Sequence, residues 1–141
     1  MNDVKKAPFR LDKYRVIKFS FIEPIAPVND IVVKFNPSGV FNLDNSTFHL
    51  SFDFSATYSS DRADFVNVTF VSDFIFEEET SFENIPSFFY RNIIAIVFPY
   101  LRSFISTLTV LANDRPFILP ILNLSGLEEE LRKNTIVKTE P

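Results

Sequence analysis

Residues 48–58 read FHLSFDFSATY, and this stretch decides the fold class. Even positions carry Phe48, Leu50, Phe52, Phe54, Ala56 and Tyr58, while odd positions carry His49, Ser51, Asp53, Ser55 and Thr57. A period of two held over this length predicts a strand with one dry and one wet face. Ser59 to Asp61 form a short polar turn. Residues 63–76 then resume the pattern, with Val66, Val68, Phe70, Phe74 and Phe76 sharing a face that Ser72 interrupts. Two long alternating runs joined by a few polar residues predict an antiparallel hairpin.

Upstream, residues 1–12 (MNDVKKAPFRLD) are polar and read as a loose terminus. Lys13 to Glu23 read as a strand, with Ile17, Phe19 and Phe21 on one face and Val16, Lys18, Ser20 and Ile22 on the other. Pro24 and Pro27 stop it. Ile25 to Asp44, which contains Pro37 and Gly39, reads as a long connection carrying Ile31, Val32, Val33, Phe35, Val40 and Phe41; an extra short strand within it is the alternative.

Downstream, Glu77, Glu78, Glu79 and Glu83 mark an acidic loop. Pro86 suits the first turn of a helix, where its missing N–H costs nothing. That helix runs to about Ala112, and Pro99 is expected to kink it or divide it in two. Val97, Leu101, Phe104, Ile105, Leu108 and Leu111 recur at helical spacing. Ile93 to Phe98 are apolar all round, which calls for cover on two sides, by the chain's own sheet and by another subunit. Phe117 to Leu124 read as a short edge strand beside Pro116 and Pro120. Ser125 and Glu128 have capping-box spacing for a last helix with Leu127 and Leu131 on one face. Residues 135–141 read as a polar tail.

At 141 residues the chain has the length of one domain. Cysteine is absent, which excludes disulfides and thiolate metal sites. Net charge is −4 with no basic stripe, which argues against nucleic acid. The basic residues before Lys18 are not followed by a leader-like apolar run. Ile93 to Phe98, bracketed by Arg91 and Arg102, falls short of the ~20 residues of a membrane span. A cytoplasmic protein is therefore expected.

Groups for catalysis are scarce. The sole histidine, His49, lies on a polar strand face and has no second imidazole or thiol to complete a metal site or a nucleophile–base pair. Two glycines cannot build a phosphate-binding loop. Asp53 and Asp73, set across the hairpin, face solvent, where nothing tunes them. No enzyme activity, cofactor or metal is expected. The chain has 18 phenylalanines, more than a domain this small is expected to bury alone, so some should face a partner or a client.

Residues 92–106 (NIIAIVFPYLRSFIS), followed by 115–124 (RPFILPILNL), resemble the SecB family of protein-export chaperones. The sharpest element is Phe98-Pro99-Tyr100-Leu101-Arg102, similar to that family's FPYAR stretch. Ser20-Phe21-Ile22-Glu23-Pro24 stands where the family has its SFEAP-like strand end. Order and spacing agree over most of residues 13–132.

This resemblance implies an α+β fold: a four-stranded antiparallel Greek-key sheet with a long crossover loop, a long kinked helix and a short C-terminal helix. It also implies a homotetramer built as a dimer of dimers. The function implied is an ATP-independent holdase that grips unfolded polypeptides or preproteins in apolar aromatic grooves and serves protein export. Expected groove residues are Phe35, Val40 and Phe41 from the crossover, Phe117 and Leu119 from the last strand, and Leu127 and Leu131 from the last helix. Replacing Phe35 and Phe41 with serine is expected to weaken client binding and spare folding. Expected interface residues are Ile93, Ile94, Val97, Phe98 and Tyr100.

Family members dock the SecA motor through acidic residues on the exposed sheet face. Here the matching positions are Lys18, Asn67 and Thr69, with Glu23 the acidic residue nearby. A SecB-like chaperone of a toxin–antitoxin system fits the residues equally well. Two other classes compete: a carrier whose sheet and helix enclose a small apolar ligand, and an assembly protein whose apolar surface serves self-association alone.

Overall fold

The computed structural model describes residues 8–22, 31–58, 64–113, 118–119 and 123–139. Four long strands come first: β1 (Phe9–Phe21), β2 (Ile31–Asn42), β3 (Thr47–Tyr58) and β4 (Asp64–Phe76). A 3-10 turn (Phe82–Asn84) leads to α1 (Ser87–Asn113), followed by α2 (Leu127–Lys133) and β5 (Thr135–Lys138). The strand order is β1-β4-β3-β2-β5. The first four strands pair antiparallel, and β5 pairs parallel to β2. The α+β class stands, but the expected four-stranded, wholly antiparallel Greek-key sheet is replaced by a mixed sheet of five strands.

The hairpin of β3 and β4 forms the centre. Phe48, Leu50, Phe52, Phe54 and Ala56 of β3 are all buried, and so are Val66, Val68, Phe70, Phe74 and Phe76 of β4. Ser72 does not break the run. It pairs with Leu50 inside the ladder and is itself buried. Asp73 lies opposite His49, whereas Asp53 lies opposite Thr69, so the two carboxylates are about 13 Å apart along the strands rather than paired.

β1 starts at Phe9, inside the stretch expected to be loose, and two bulges change its faces. The register slips between Leu11 and Lys13 and again between Val16 and Lys18. The extra residue of a bulge leaves the ladder and inverts the alternation beyond it. Val16, Phe19 and Phe21 therefore share the core side, and Ile17, expected beside the two phenylalanines, stands 57% exposed at the second bulge.

The long connection expected over 25–44 is largely β2, a strand of 12 residues paired with β3 throughout. Pro37 falls just before the part of β2 that β5 covers, an edge position where a strand tolerates proline. Gly39 serves close packing: a side chain there would overlap the Phe48 ring and press on the Thr135 hydroxyl. Both residues look like breakers in the sequence, and both sit inside the sheet.

α1 runs unbroken through Pro99. The proline removes the N–H that would reach the Ala95 carbonyl, but Pro99 and Ala95 are both exposed, so the freed carbonyl is on the solvent side of the helix. By length and composition α1 could cross a membrane, which corrects the reading of its apolar stretch as too short. It packs as the core helix instead: Ile93, Ile94, Val97, Leu101 and Ile105 are buried against the sheet. Phe89 is the hub of this contact, with ring centres 4.8 Å from Phe9, 4.9 Å from Phe76 and 5.1 Å from Phe48.

The C-terminal end departs most from expectation. Ile118 and Leu119 are irregular rather than strand, while Phe117 and residues 120–122 lie outside the described residues. The capping box does not form. Gly126 occupies the N-cap with no side-chain bond, and the Ser125 N–H is bound by Asn123 Oδ1 at 3.1 Å. The polar tail carries β5. Thr135 Oγ1 donates to the Leu131 carbonyl at 2.6 Å, which turns the chain out of α2 directly into pairing with Gly39–Asn42 of β2.

Eleven phenylalanines are buried, and Phe19, Phe21, Phe35, Phe82 and Phe104 pack partly buried against the same core. The Phe surplus is thus mostly internal. The large exposed apolar side chains are chiefly aliphatic and tyrosine, and among the described phenylalanines Phe88 alone is exposed.

Candidate functional site

The outward side of α1 lies opposite its sheet-packed face. Phe88, Ile96, Tyr100, Val110 and Leu111 are exposed, Leu111 to 76%. Helix α1 carries just two charges, Arg91 and Arg102, so from Ser103 to Asn113 this surface has none. A solvated helix face normally carries charge. Of the residues expected at an interface, Tyr100 is part-exposed at the flank of α1, where its ring stacks on Tyr14 of β1 at 4.4 Å, while Ile93, Ile94, Val97 and Phe98 are turned inward and buried against the chain's own sheet.

A second apolar surface borders β2. The Phe35 ring is half-buried, with centres 5.1 Å from Phe54, 5.4 Å from Phe52 and 5.7 Å from Phe98. Val33 on the same side is also half-buried and Ile31 is exposed, whereas Val40 and Val32 pair with His49 and Thr57 on the outer face of the sheet. Among the described residues, β2 has no strand partner over Ile31–Ser38 on the side away from β3, because β5 pairs only with Gly39–Asn42. Pro37 is buried, has no N–H, and its carbonyl accepts from Asn134 Nδ2 at 3.4 Å, so the main-chain groups presented beside apolar side chains are those of Ile31–Asn36.

Two polar clamps position the helices around it. Arg102 Nη2 donates to the Leu119 carbonyl at 3.0 Å, and the guanidinium lies 5.8 Å from the Phe98 ring centre. Leu119 is thereby held buried while its neighbour Ile118 is 67% exposed. On α2, Glu128 takes Arg91 at 3.7 Å and Arg132 at 3.8 Å, and Arg132 lies 5.2 Å from the Tyr90 ring centre. Burial raises the Tyr90 phenol above its ordinary value, and the Arg132 charge partly offsets that.

The expected groove residues separate in space. Phe35, Val40 and Leu127 are half-buried and reachable. Phe41, Leu119 and Leu131 are buried in the core, so in this conformation they are not surface. Phe41 packs on Phe76 and Phe82, which reverses the expectation that serine there spares folding. Phe117 lies outside the described residues. Arg102, Ile118 and the β2 edge were not singled out as site residues; the Phe98–Arg102 spacing of one helical turn is the signal that could have found the clamp.

The outer sheet face is polar. Lys18, Asn36, Asp53, Asn67 and Thr69 line an open cleft of about 370 Å³ there. Lys18 and Thr69 pair across β1 and β4, as their place on the exposed sheet face requires; Glu23 lies outside the described residues. His49 Nδ1 and Asp73 Oδ1 are 2.7 Å apart on this face. Among the described residues, no group of three or more His, Cys, Asp or Glu side chains is placed to hold a metal.

No family model matches the chain. An uncharacterized protein of Methanocaldococcus jannaschii is 38% identical over 65 residues, which span 44% of this chain and 42% of that relative. Among solved structures, the fold is similar to the SecB-like chaperone of Mycobacterium tuberculosis in complex with a ChAD peptide from the HigA1 antitoxin. The TM-score is 0.66 at 16% identity, covering 82% of this chain and 88% of that one. A protein of unknown function from Streptococcus agalactiae superposes with a TM-score of 0.50 at 15% identity, covering 80% of this chain and 97% of that chain. The chain has a SecB-like fold.

Proposed function

We propose that this SecB-like chain is an ATP-independent, non-catalytic chaperone that holds unfolded polypeptides against the β2 surface. The observation carrying this reading is the fold match to a SecB-like chaperone captured with a peptide, over four-fifths of the chain. The surface chemistry supports it. Phe35, Val33 and Leu127 offer apolar contact, and Ile31–Asn36 offers main-chain groups to an extended client. Such contacts are worth roughly 25 cal/mol per Å² of apolar area and tolerate many sequences. Selection is then for an unfolded, extended chain rather than for a particular motif.

The uncharged outer face of α1 suits self-association, with Ile96, Val110 and Leu111 at the contact and a dimer of dimers as the assembled form. Several weak client contacts on one assembly then reinforce each other through effective concentration. The cytoplasm is the compartment we assign. Service to a toxin–antitoxin pair is favoured over protein export by one observation, the antitoxin peptide on the M. tuberculosis neighbour. A small-ligand carrier gains no support from the cleft on the sheet, whose lining is polar.

The test is light scattering of a chemically denatured, slow-folding client diluted with and without the protein. Suppressed aggregation without ATP is the expected result. Unchanged aggregation at a molar excess of folded protein would overturn the chaperone reading.

A further inference from the structure

β2 is one strand with two kinds of edge. Away from β3, Gly39–Asn42 is covered by β5, whereas Ile31–Asn36 is open among the described residues. Both stretches turn the same main-chain groups to that side. The Gly39 N–H donates to the Asn134 carbonyl at 3.2 Å, and the Leu43 N–H donates to the Lys138 carbonyl at 2.9 Å. The Pro37 carbonyl accepts from Asn134 Nδ2 at 3.4 Å. β2 pairs with β3 without a bulge, so its main-chain groups alternate sides and those of odd-numbered residues face away from β3 throughout. Ile31, Val33 and Phe35 therefore present on one side of Asn134 the groups that Gly39 and Phe41 present to β5 on the other.

β5 is held lightly. Among the described residues it pairs with β2 alone, and in the parallel mode, which is slightly less stable per residue. Ile136 is 62% exposed and Val137 45%, so its two aliphatic side chains bury little. Its tie to α2 is the Thr135 hydroxyl on the Leu131 carbonyl. Asn134, by contrast, is fixed to the end of α2, its N–H shared between the Glu130 and Leu131 carbonyls. Opening from Thr135 onward breaks a short run of main-chain bonds and exposes little new apolar area, which puts β5 at the low-stability end of the fold. In chemistry β5 is what the client is: a short, extended, apolar segment laid on the β2 edge.

We propose that β5 is an internal stand-in for a client, displaced by long unfolded segments and left in place by short ones. The proposal rests on the reading of the β2 edge as the client surface. A client first lies along Ile31–Asn36, the part that is always open. Its tethered remainder then meets Gly39–Asn42 at high effective concentration. There it replaces Thr135–Lys138 in the ladder, while Asn134 stays between the two bound segments. The exchange trades one set of main-chain bonds for a like set, so its net cost is small. With no client present, β5 keeps this part of the edge from pairing with other chains. A short client fills the open part alone and never reaches β5. The chain therefore grades clients by length as well as by unfoldedness.

A reversible lock tests this. The chain has no cysteine, so Val40→Cys with Ile136→Cys introduces a single disulfide. The two positions are partners across β2 and β5, one half-buried and one exposed. Adjacent strands lie about 4.8 Å apart, within disulfide reach. Fluorescence anisotropy then compares two labelled peptides of alternating Leu and Ser, one of about six residues and one of about twenty. Oxidation should weaken the long peptide about five-fold or more and leave the short one unchanged, and reduction should restore the difference. Hydrogen exchange should show amides of residues 135–138 losing protection with the long peptide and keeping it with the short one. Thr135→Ala, which removes the tie to Leu131, should tighten the long peptide about two-fold or more; if the cysteines do not oxidise, this variant and the exchange data decide. Equal binding of the long peptide in the oxidised and reduced forms, or protection of 135–138 retained, would overturn displacement and leave the holdase reading standing. Failure of both peptides to bind would overturn both.

Discussion

Arg102 and Leu119 are joined by a single hydrogen bond of 3.0 Å, from guanidinium to main-chain carbonyl, across 17 residues of chain. The same guanidinium lies over Phe98, one helical turn earlier. Its Nε is buried without a partner, so this charge is held at a cost that the Leu119 bond and the ring contact offset. Arg102→Ala should lower stability by about 1–3 kcal/mol and free Leu119 from its buried position. Thermal denaturation reads the first effect, and hydrogen exchange at residues 118–119 reads the second. Arg102→Lys should not restore the wild-type value, since an ammonium does not reproduce a planar guanidinium that reaches both the Phe98 ring and the Leu119 carbonyl.

Phe35 and Phe41 lie on one strand and should respond differently. Phe41 is fully buried, so Phe41→Ser should cost about 3–5 kcal/mol and abolish folding or nearly so. Phe35 is half-buried at the surface, so Phe35→Ser should keep a cooperative transition and weaken binding of an unfolded client several-fold. Anisotropy with a labelled unfolded peptide, run beside urea denaturation, separates the two.

The outer face of α1 is open to charge. Ile96→Glu with Leu111→Glu should leave the protomer folded, because both side chains are exposed, and should convert the assembly to smaller species. Multi-angle light scattering checks this; an unchanged mass would place the interface elsewhere.

Burial raises the Tyr90 phenol, so the folded chain keeps that proton longer than the unfolded chain does. The resulting stability is complete below the ordinary tyrosine value of 10.0 and is lost as pH climbs through the raised folded value. Tyr90→Phe should flatten the decline in stability above pH ~10, as measured by urea titrations at stepped alkaline pH.

Gly39 admits no side chain. Gly39→Ala should cost about 1–3 kcal/mol through overlap with the Phe48 ring. The loss should appear as a lower urea midpoint with an unchanged slope.

The parts of the fold legible in the sequence are those where one periodicity acts alone. Phe48 to Ala56 alternate cleanly because β3 is paired on both sides along its length and its faces are unambiguous. The inward stripe of α1 is legible for the same reason. Misreadings arose where tertiary packing overrides a local rule. Pro37 and Gly39 mark a loop by composition, yet the first sits at an edge and the second makes room for a ring. A bulge at Ile17 cannot be seen without the partner strand, since the extra residue exists only relative to β4. Thr135 to Lys138 carry no long pattern; four residues become a strand because β2 offers them an edge. Among the site residues, Phe35 was readable as apolar, but whether it or Phe41 faces inward depends on which elements cover each end of β2.

β5 also bears on the order of folding. Gly39 and Thr135 meet in the finished sheet, yet they stand 96 residues apart in the order of synthesis. At about 5–20 residues per second, the lower edge of β2 waits on the order of 5–20 s for its neighbour. Through that interval Gly39–Asn42 emerges as an open edge beside an aromatic core still being assembled. Thr135 to Lys138 are the residues that close it, so nascent chains stalled short of Thr135 should be the most prone to pair with one another.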